Sequence, residues 1–512
     1  MSEYQRVTRK YIFKNNLTFI EIKMKNLLTT VLCLIANITF AQTILKAEDL
    51  QKDFAIARKS YERMHPGLYK YQSKEAIDEA FEECKTALNH DQSLAEAYLN
   101  FHKLTSQFKC GHAYPNFYNQ AEFLKKELFE QKVCLPFQFQ LIEDRMLITR
   151  SADSSLSAGI EVKKINGIAI STIIKTLLSI VRADGSNDAK RRKLLEIGGQ
   201  TFEYFDIFYP MYFPLKSDNF DLEIYDFKSK KTFKTSVKAL NRVKRNEILK
   251  IKYADSQVVN ANFDWIDDKT AIMQINNLAV YNKAFDFDKF YLNSVNEYNQ
   301  KAGKNLIIDI RKCEGGNTSE MIKLVSYLTK NNIEIRNEQD CWAYVKIDST
   351  LKPYVDNKSW AFGWFNLNEK YFTKLSNGQY RSKDGDKVEM IIPEKTTLEG
   401  NVYLMTSATN SSATYIMANI FKKYHLATLV GQTTGGNQRG ITAGAMFFMS
   451  LPNTKIEIDV PLIGMNYDLA KTRPDEGVSP DVYVKPNIMD AVKGVDTEME
   501  VVKKLITKNA RK

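Results

Sequence analysis

Four short apolar stretches, Thr270–Ile275, Leu306–Ile310, Val402–Thr406 and Ala427–Val430, constrain this chain more than any other feature. Each has strand length and is rich in Ile, Leu and Val. Helical patterns lie between them, most clearly Ala413–Tyr424, which separates the last two. Strands alternating with helices are satisfied by a layered parallel sheet with helices packed on it. An α/β core over 260–490 is therefore expected.

The rest of the chain reads differently. A length of 512 residues exceeds what one ordinary core accommodates, so several domains are expected. Ala47–Met64, Lys74–Leu88 and Leu94–Phe108 carry apolar residues at three- and four-residue spacing, and His65-Pro66-Gly67 stops the first helix. These define an N-terminal helical domain over 42–125. Leu135–Phe139, Met146–Thr149, Glu161–Ile165, Phe220–Tyr225 and Thr232–Val237 are strand-like, and Ile170–Val181 is an amphipathic helix, giving a small β domain over 126–245. Residues 491–512 form a C-terminal helix or tail.

The N-terminus addresses the chain for export. Met24-Lys25 opens a short basic stretch, Leu27–Phe40 is an apolar run of signal-peptide length, and Ala41 fits a cleavage position. Residues 1–41 are thus expected to be a signal peptide with its working start at Met24, and the mature chain is expected in the periplasm or cell envelope. The five cysteines of the mature chain, Cys84, Cys110, Cys134, Cys313 and Cys341, are scattered. They suggest buried thiols rather than a disulfide framework or a zinc site.

Lysine and arginine outnumber aspartate and glutamate 72 to 61, a net charge of +11. The densest basic run, Arg242–Lys252, is interrupted by Asn246-Glu247-Ile248-Leu249 and lacks the aromatic interleaving of a nucleic-acid surface. It reads as a solvated basic face. Nucleic-acid binding is not expected; peripheral attraction to an anionic envelope surface is the minor alternative.

Candidate chemistry lies at the ends of the strands. Asn410-Ser411-Ser412-Ala413-Thr414 joins a strand to a helix, where free N–H groups and a partial positive charge can stabilise an oxyanion. Serine is also a common helix cap, so the position alone fits both roles. Leu306–Arg311 runs into Glu314-Gly315-Gly316-Asn317, whose glycines allow close backbone approach. A nucleophilic serine needs a base, and five histidines are available: His65, His90, His102, His112 and His425. The glycine-flanked loop Cys110-Gly111-His112 favours His112. Glu476 is one of many carboxylates that could orient it.

Taken together, these motifs resemble the C-terminal processing (tail-specific) serine peptidases, in particular the branch containing the tricorn protease core. Asp309-Ile-Arg311-Lys-Cys-Glu-Gly315-Gly316 resembles that family's Asp-x-Arg-x-x-x-Gly-Gly turn. Ser412-Ala413-Thr414 followed by Gly431-Gln432-Thr433-Thr434-Gly435-Gly436 resembles its nucleophile helix and glycine turn. Gly477-Val478-Ser479-Pro480-Asp481 resembles its Gly-Val-x-Pro-Asp signature. The resemblance implies a crotonase/ClpP-like core with Ser412 as nucleophile and His112 as base. It implies Glu476 as the carboxylate completing the relay, and Ala413 with Gly315 or Gly316 as oxyanion donors.

One branch of the family carries a lysine base in the turn where this chain has Gly435-Gly436-Asn437-Gln438, and the nearby Arg439 cannot replace it. Gly111 stands where some members have serine, and Tyr415 where many have glutamate. Ala158–Gly167 resembles part of a PDZ domain, which would present a polypeptide's C-terminal end by strand addition. The implied activity is peptide-bond hydrolysis of polypeptide substrates through an acyl-enzyme, without metal or organic cofactor. The alternative is a catalytically weakened scaffold that binds peptides or apolar ligands.

Overall fold

The computed structural model describes residues 43–130, 133–200, 202–250, 260–280, 285–336, 340–357, 360–383, 388–465 and 473–510. The three- and four-residue apolar spacing near the N-terminus forms helices α1 (Ala47–Met64), α2 (Lys74–Ala87) and α3 (Leu94–Gln107). The Ser73 side chain accepts from the Ala76 N–H, and Ser93 with Glu96 forms a reciprocal capping box. After the short helix α4 (Glu122–Phe129) the chain becomes β-rich. The expected signal peptide lies outside the described residues, and no described helix is long and apolar enough to cross a membrane.

Next come β1 (Phe137–Ile142), β2 (Arg145–Ser151), β3 (Ile160–Ile165), α5 (Ile170–Leu178), α6 (Asp188–Leu195), α7 (Tyr204–Tyr212), β4 (Asn219–Asp226) and β5 (Lys231–Lys238). The strands pair antiparallel in the order β1-β2-β3-β4-β5. Helix α5 buries Ile170, Ile173, Ile174 and Leu177, the apolar stripe visible in its sequence.

The basic run at 242–252 is not simply a solvated face. Arg245 is fully buried, and its guanidinium grips the Asp206 carboxylate with hydrogen bonds of 3.0 and 2.6 Å. Planar, two-point pairing is what allows an arginine to be buried.

The α/β core contains β6 (Ala261–Asp267), β7 (Thr270–Ile275), α8 (Phe287–Gln300), β8 (Asn305–Asp309), α9 (Thr318–Leu328), β9 (Asn401–Thr406), α10 (Ser412–Lys423) and β10 (Thr428–Gly431). A long hairpin, β11 (Thr442–Ser450) and β12 (Glu457–Gly464), follows, then β13 (Val482–Tyr483) and α11 (Thr497–Asn509). The main sheet has the order β13-β10-β9-β8-β7-β6, parallel throughout except where β6 meets β7. Ile308, Leu404 and Leu429 are fully buried on its inner strands, as near-continuous apolar runs require.

The hairpin carries the core toward the N-terminal helices. Asp53 on α1 accepts N–H bonds from Asn453 (3.1 Å) and Thr454 (2.7 Å) at the hairpin tip. The Tyr61 hydroxyl donates to the Asp459 carbonyl at 3.2 Å, and the Asp459 N–H donates to the Tyr114 carbonyl at 3.1 Å. These bonds lay the 110–120 segment along β12, more than three hundred residues away in sequence. Residues Leu45–Lys512 pack as one compact unit.

Candidate active site

Strand β9 ends at Thr406, and the next residues are stitched to the end of β8. Asn410 is fully buried; its amide donates to the Cys313 carbonyl at 2.9 Å and its oxygen accepts the Ser407 N–H at 2.7 Å. The Thr414 hydroxyl donates to the same Cys313 carbonyl at 3.1 Å. Between these anchors the backbone turns sharply: Ser411 is extended, whereas Ser412 has φ of +50°. A non-glycine residue there carries roughly 1–2 kcal/mol of strain, which the surrounding bonds must offset.

The two serines have different duties. The Ser411 hydroxyl donates to the Glu314 carbonyl at 3.2 Å. Ser412 is only partly buried, and its hydroxyl has no hydrogen bond among the described residues. One serine is structural and the other is presented.

Gly315 packs directly against this turn. A β-carbon placed on it would lie 2.9 Å from the Ser412 β-carbon and 3.2 Å from the Ala413 nitrogen. Its φ of +148° also excludes ordinary side chains. Gly316 faces the other way, against the backbone of Leu278 and Ala279. The Leu278 N–H donates to the Gly315 carbonyl at 3.1 Å, and Asn317 donates back to Leu278 at 3.0 Å, so the turn is braced. Ala413, in the first turn of α10, has an N–H with no helical acceptor.

His112 sits in the loop after α3, partly buried, with Nδ1 lacking a hydrogen-bond partner among the described residues. Burial holds its pKa below the ordinary 6.5; Asp184 and Glu314 pull it back up, and Arg182 and Lys190 push it down. No hydrogen bond joins it to Ser412 among the described residues, and such bonds are often long before substrate binds. His65 and His102 are core residues whose pKa burial depresses to about 3, so neither serves as a base with a pKa near neutrality. His90 is exposed on the α2–α3 connection.

The stretch 180–195 supplies charges that sequence reading missed. Arg182 donates to the Gly111 carbonyl at 2.6 Å and to Glu314 Oε1 at 2.9 Å. Lys190, with its side chain only 2% exposed, donates to the same Glu314 oxygen at 2.9 Å and to the Thr409 carbonyl at 2.8 Å. Burial alone would raise the Glu314 pKa, but these two cations hold its carboxyl well below the usual range. They tie together the His112 loop, the glycine turn and the loop before Ser412. No motif spacing in the sequence advertised this.

Glu476 does not join the group. It is exposed, its carboxylate has no hydrogen bond or ion pair among the described residues, and the charges acting on His112 come from elsewhere. Its neighbour Asp475 turns inward instead, accepting from Ser186 N (3.0 Å), Ser186 Oγ (2.9 Å) and Asn437 Nδ2 (2.7 Å). Asn437, in the turn where one branch carries lysine, is fully buried and also donates to the Asp184 carbonyl at 3.2 Å. Tyr415 is buried against Gly436.

A strained serine at a strand-to-helix junction packs against a glycine turn, and Arg182 links that turn to the loop carrying His112. Residues 269–484 match the model described as Peptidase family S41, and this match supports a serine-type peptidase of the C-terminal processing type. The resemblance read from the motifs is thereby borne out.

Solved structures extend the likeness in fold to most of the chain. Mature CPAF complexed with lactacystin superposes with a TM-score of 0.60 at 14% identity, covering 90% of this chain and 98% of that one. Mature CPAF alone gives a TM-score of 0.60 at 13% identity, covering 90% and 97%. No curated protein matches the chain.

Proposed function

We propose that the chain is an exported serine endopeptidase acting on polypeptides through an acyl-enzyme on Ser412. The single observation that carries this reading is the turn at Ser412: left-handed backbone, an uncommitted hydroxyl, and Gly315 packed against it. Ser412 Oγ attacks the scissile carbonyl carbon while its proton passes to the His112 imidazole. The tetrahedral oxyanion is received by the N–H groups of Ala413 and Gly315. Collapse breaks the C–N bond, and the imidazolium gives its proton to the leaving amine. Water then attacks the ester, delivering a proton to His112, which returns it to Ser412 as the acid product leaves.

Ala158–Gly167 contains the whole of β3 in the antiparallel sheet, followed by α5, the kind of strand-and-helix unit that receives chain ends by strand addition. On this reading it feeds a C-terminal segment to Ser412, and the apolar run Leu27–Phe40 directs the chain to the periplasm or envelope. The test is labelling of the full-length chain with a fluorophosphonate, mapped by peptide mass, beside digestion of unfolded casein. Modification at Ser412 and casein cleavage that vanishes in Ser412→Ala support the proposal. An unlabelled serine with no cleavage supports the alternative of a catalytically weakened binder of peptides or apolar ligands, a reading motivated by Gly111 and Tyr415 and by the Nδ1 of His112, which has no partner among the described residues.

A further inference from the structure

The loop that carries His112 is clamped by a segment no motif singles out. The Gly111 N–H donates to Asp184 Oδ1 at 2.8 Å, while the carbonyl of the same residue accepts from Arg182 at 2.6 Å. The peptide preceding the base is thus held on both sides by residues two apart in the connection between α5 and α6.

Gly111 is required by this arrangement. A β-carbon on it would lie 2.8 Å from Asp184 Oδ2, so the carboxylate occupies the space a serine side chain would take. Asp184 is itself 2% exposed, and its position is fixed from behind by Asn437, which donates to its carbonyl, and by the Gly185 N–H, which donates to the Lys109 carbonyl at 2.8 Å. A buried carboxylate therefore lies against the residue adjoining His112, whose Nδ1 is buried and without a partner among the described residues.

We infer that Asp184 is the positioning residue of the catalytic base, taking the electrostatic role that the family pattern gives to Glu476. This rests on the reading of Ser412 as nucleophile and His112 as base. As His112 takes the serine proton it becomes an imidazolium in a buried setting. The groups whose charges reach it are Asp184, Arg182, Glu314 and Lys190, with the nearby His65 remaining neutral.

Of the two carboxylates, Glu314 is already gripped at Oε1 by both cations, and its charge effect on the ring is the weaker. Asp184 makes no ion pair among the described residues, although its charge also reaches the buried Lys70 and Lys190. A fixed negative charge beside a forming imidazolium stabilises it without needing to take the proton.

The experiment uses the full-length chain and a fluorogenic peptide that it cleaves, with kcat and KM measured from pH 5 to 9. Asp184→Asn keeps an acceptor for the Gly111 N–H but removes the charge. It is expected to lower kcat at least tenfold with KM within about twofold, and to move the acid limb of kcat/KM to lower pH. Gly111→Ala, which pushes the carboxylate aside, is expected to do the same and provides the reading should Asp184→Asn fold poorly. A fall in kcat with an unmoved acid limb marks Asp184 as structural only and overturns the inference. Unchanged kinetics, or the same losses on Glu476→Gln instead, also overturn it. Retained activity in Ser412→Ala or His112→Ala would instead sink the underlying assignment, so the two failures are distinguishable.

Discussion

Gly315 lies so close to Ser412 that any side chain on it would come within 2.9 Å of the serine β-carbon. The glycine turn and the nucleophile are therefore one structural unit, braced by the Ser411 hydroxyl on Glu314 and by Asn410 and Thr414 on Cys313. Gly315→Ala is expected to lower kcat/KM by at least a hundredfold, mainly through kcat. The variant keeps the N–H but shifts it, because the new β-carbon meets Ser412 and the φ of +148° is strained; a misplaced oxyanion donor can cost up to ~2.7–4 kcal/mol. Steady-state kinetics on a peptide substrate, with circular dichroism to verify folding, check this. Activity within threefold of the parent would remove Gly315 from the hole.

The adjacent serines should separate cleanly. Ser412→Ala is expected to abolish turnover and fluorophosphonate labelling. Ser411→Ala loses one hydrogen bond to the Glu314 carbonyl and should cost about 1 kcal/mol of stability while still being labelled. Label mapping and thermal melts of both variants decide it; label on residue 411 would reverse the assignment.

The pH dependence has a definite sign. Burial lowers the pKa of His112, so the base stays neutral, and able to accept a proton, at pH values where a free imidazole of pKa 6.5 is already charged. The acid limb of kcat/KM should therefore fall below 6.5. A limb above 6.5 would mean that the ring lies in a different environment.

Stability is expected to depend on pH from both sides. His65 and His102 have pKa values of about 3 in the fold, against 6.5 when free. Unfolded chains bind those protons first, so stability is lost as pH falls from 6.5 toward 3. Asp459 runs the other way. Burial raises its pKa from 3.8 to about 7, with Asn116 and Asn119 opposing the shift, so stability is lost as pH rises through that interval. Asp459→Asn should thus raise Tm relative to the parent more at pH 8 than at pH 5, by roughly 2 °C or more. An equal effect at both pH values would show that the aspartate is already ionised in the fold.

Breaking the Arg245–Asp206 pair should be severe. Arg245→Ala leaves a carboxylate at Asp206, 5% exposed, without its cation, at a cost of about 3–5 kcal/mol. Denaturant melts measure it, and a loss under 1 kcal/mol would mean that water reaches the site. Sequence alone offered no reason to single out this arginine from its basic run.

That contrast marks the boundary between what residue order settles and what folding settles. The strands near 270, 306, 402 and 428, the glycine turn at 315–316 and the serine at 412 were legible because period, breakers and short motifs are local properties. The partners of His112 were not. Asp184, Arg182 and Lys190 lie in a stretch without motif, and they reach Gly111, Glu314 and Thr409 only because packing places the β-rich layer beside the catalytic sheet. Glu476 and Asp475 show the same limit over a single residue. The sequence places both in one turn before a late strand, but only the tertiary contacts with Ser186 and Asn437 decide which carboxylate faces inward. Charge acts through space, and its partners are chosen by distances that no spacing along the chain encodes.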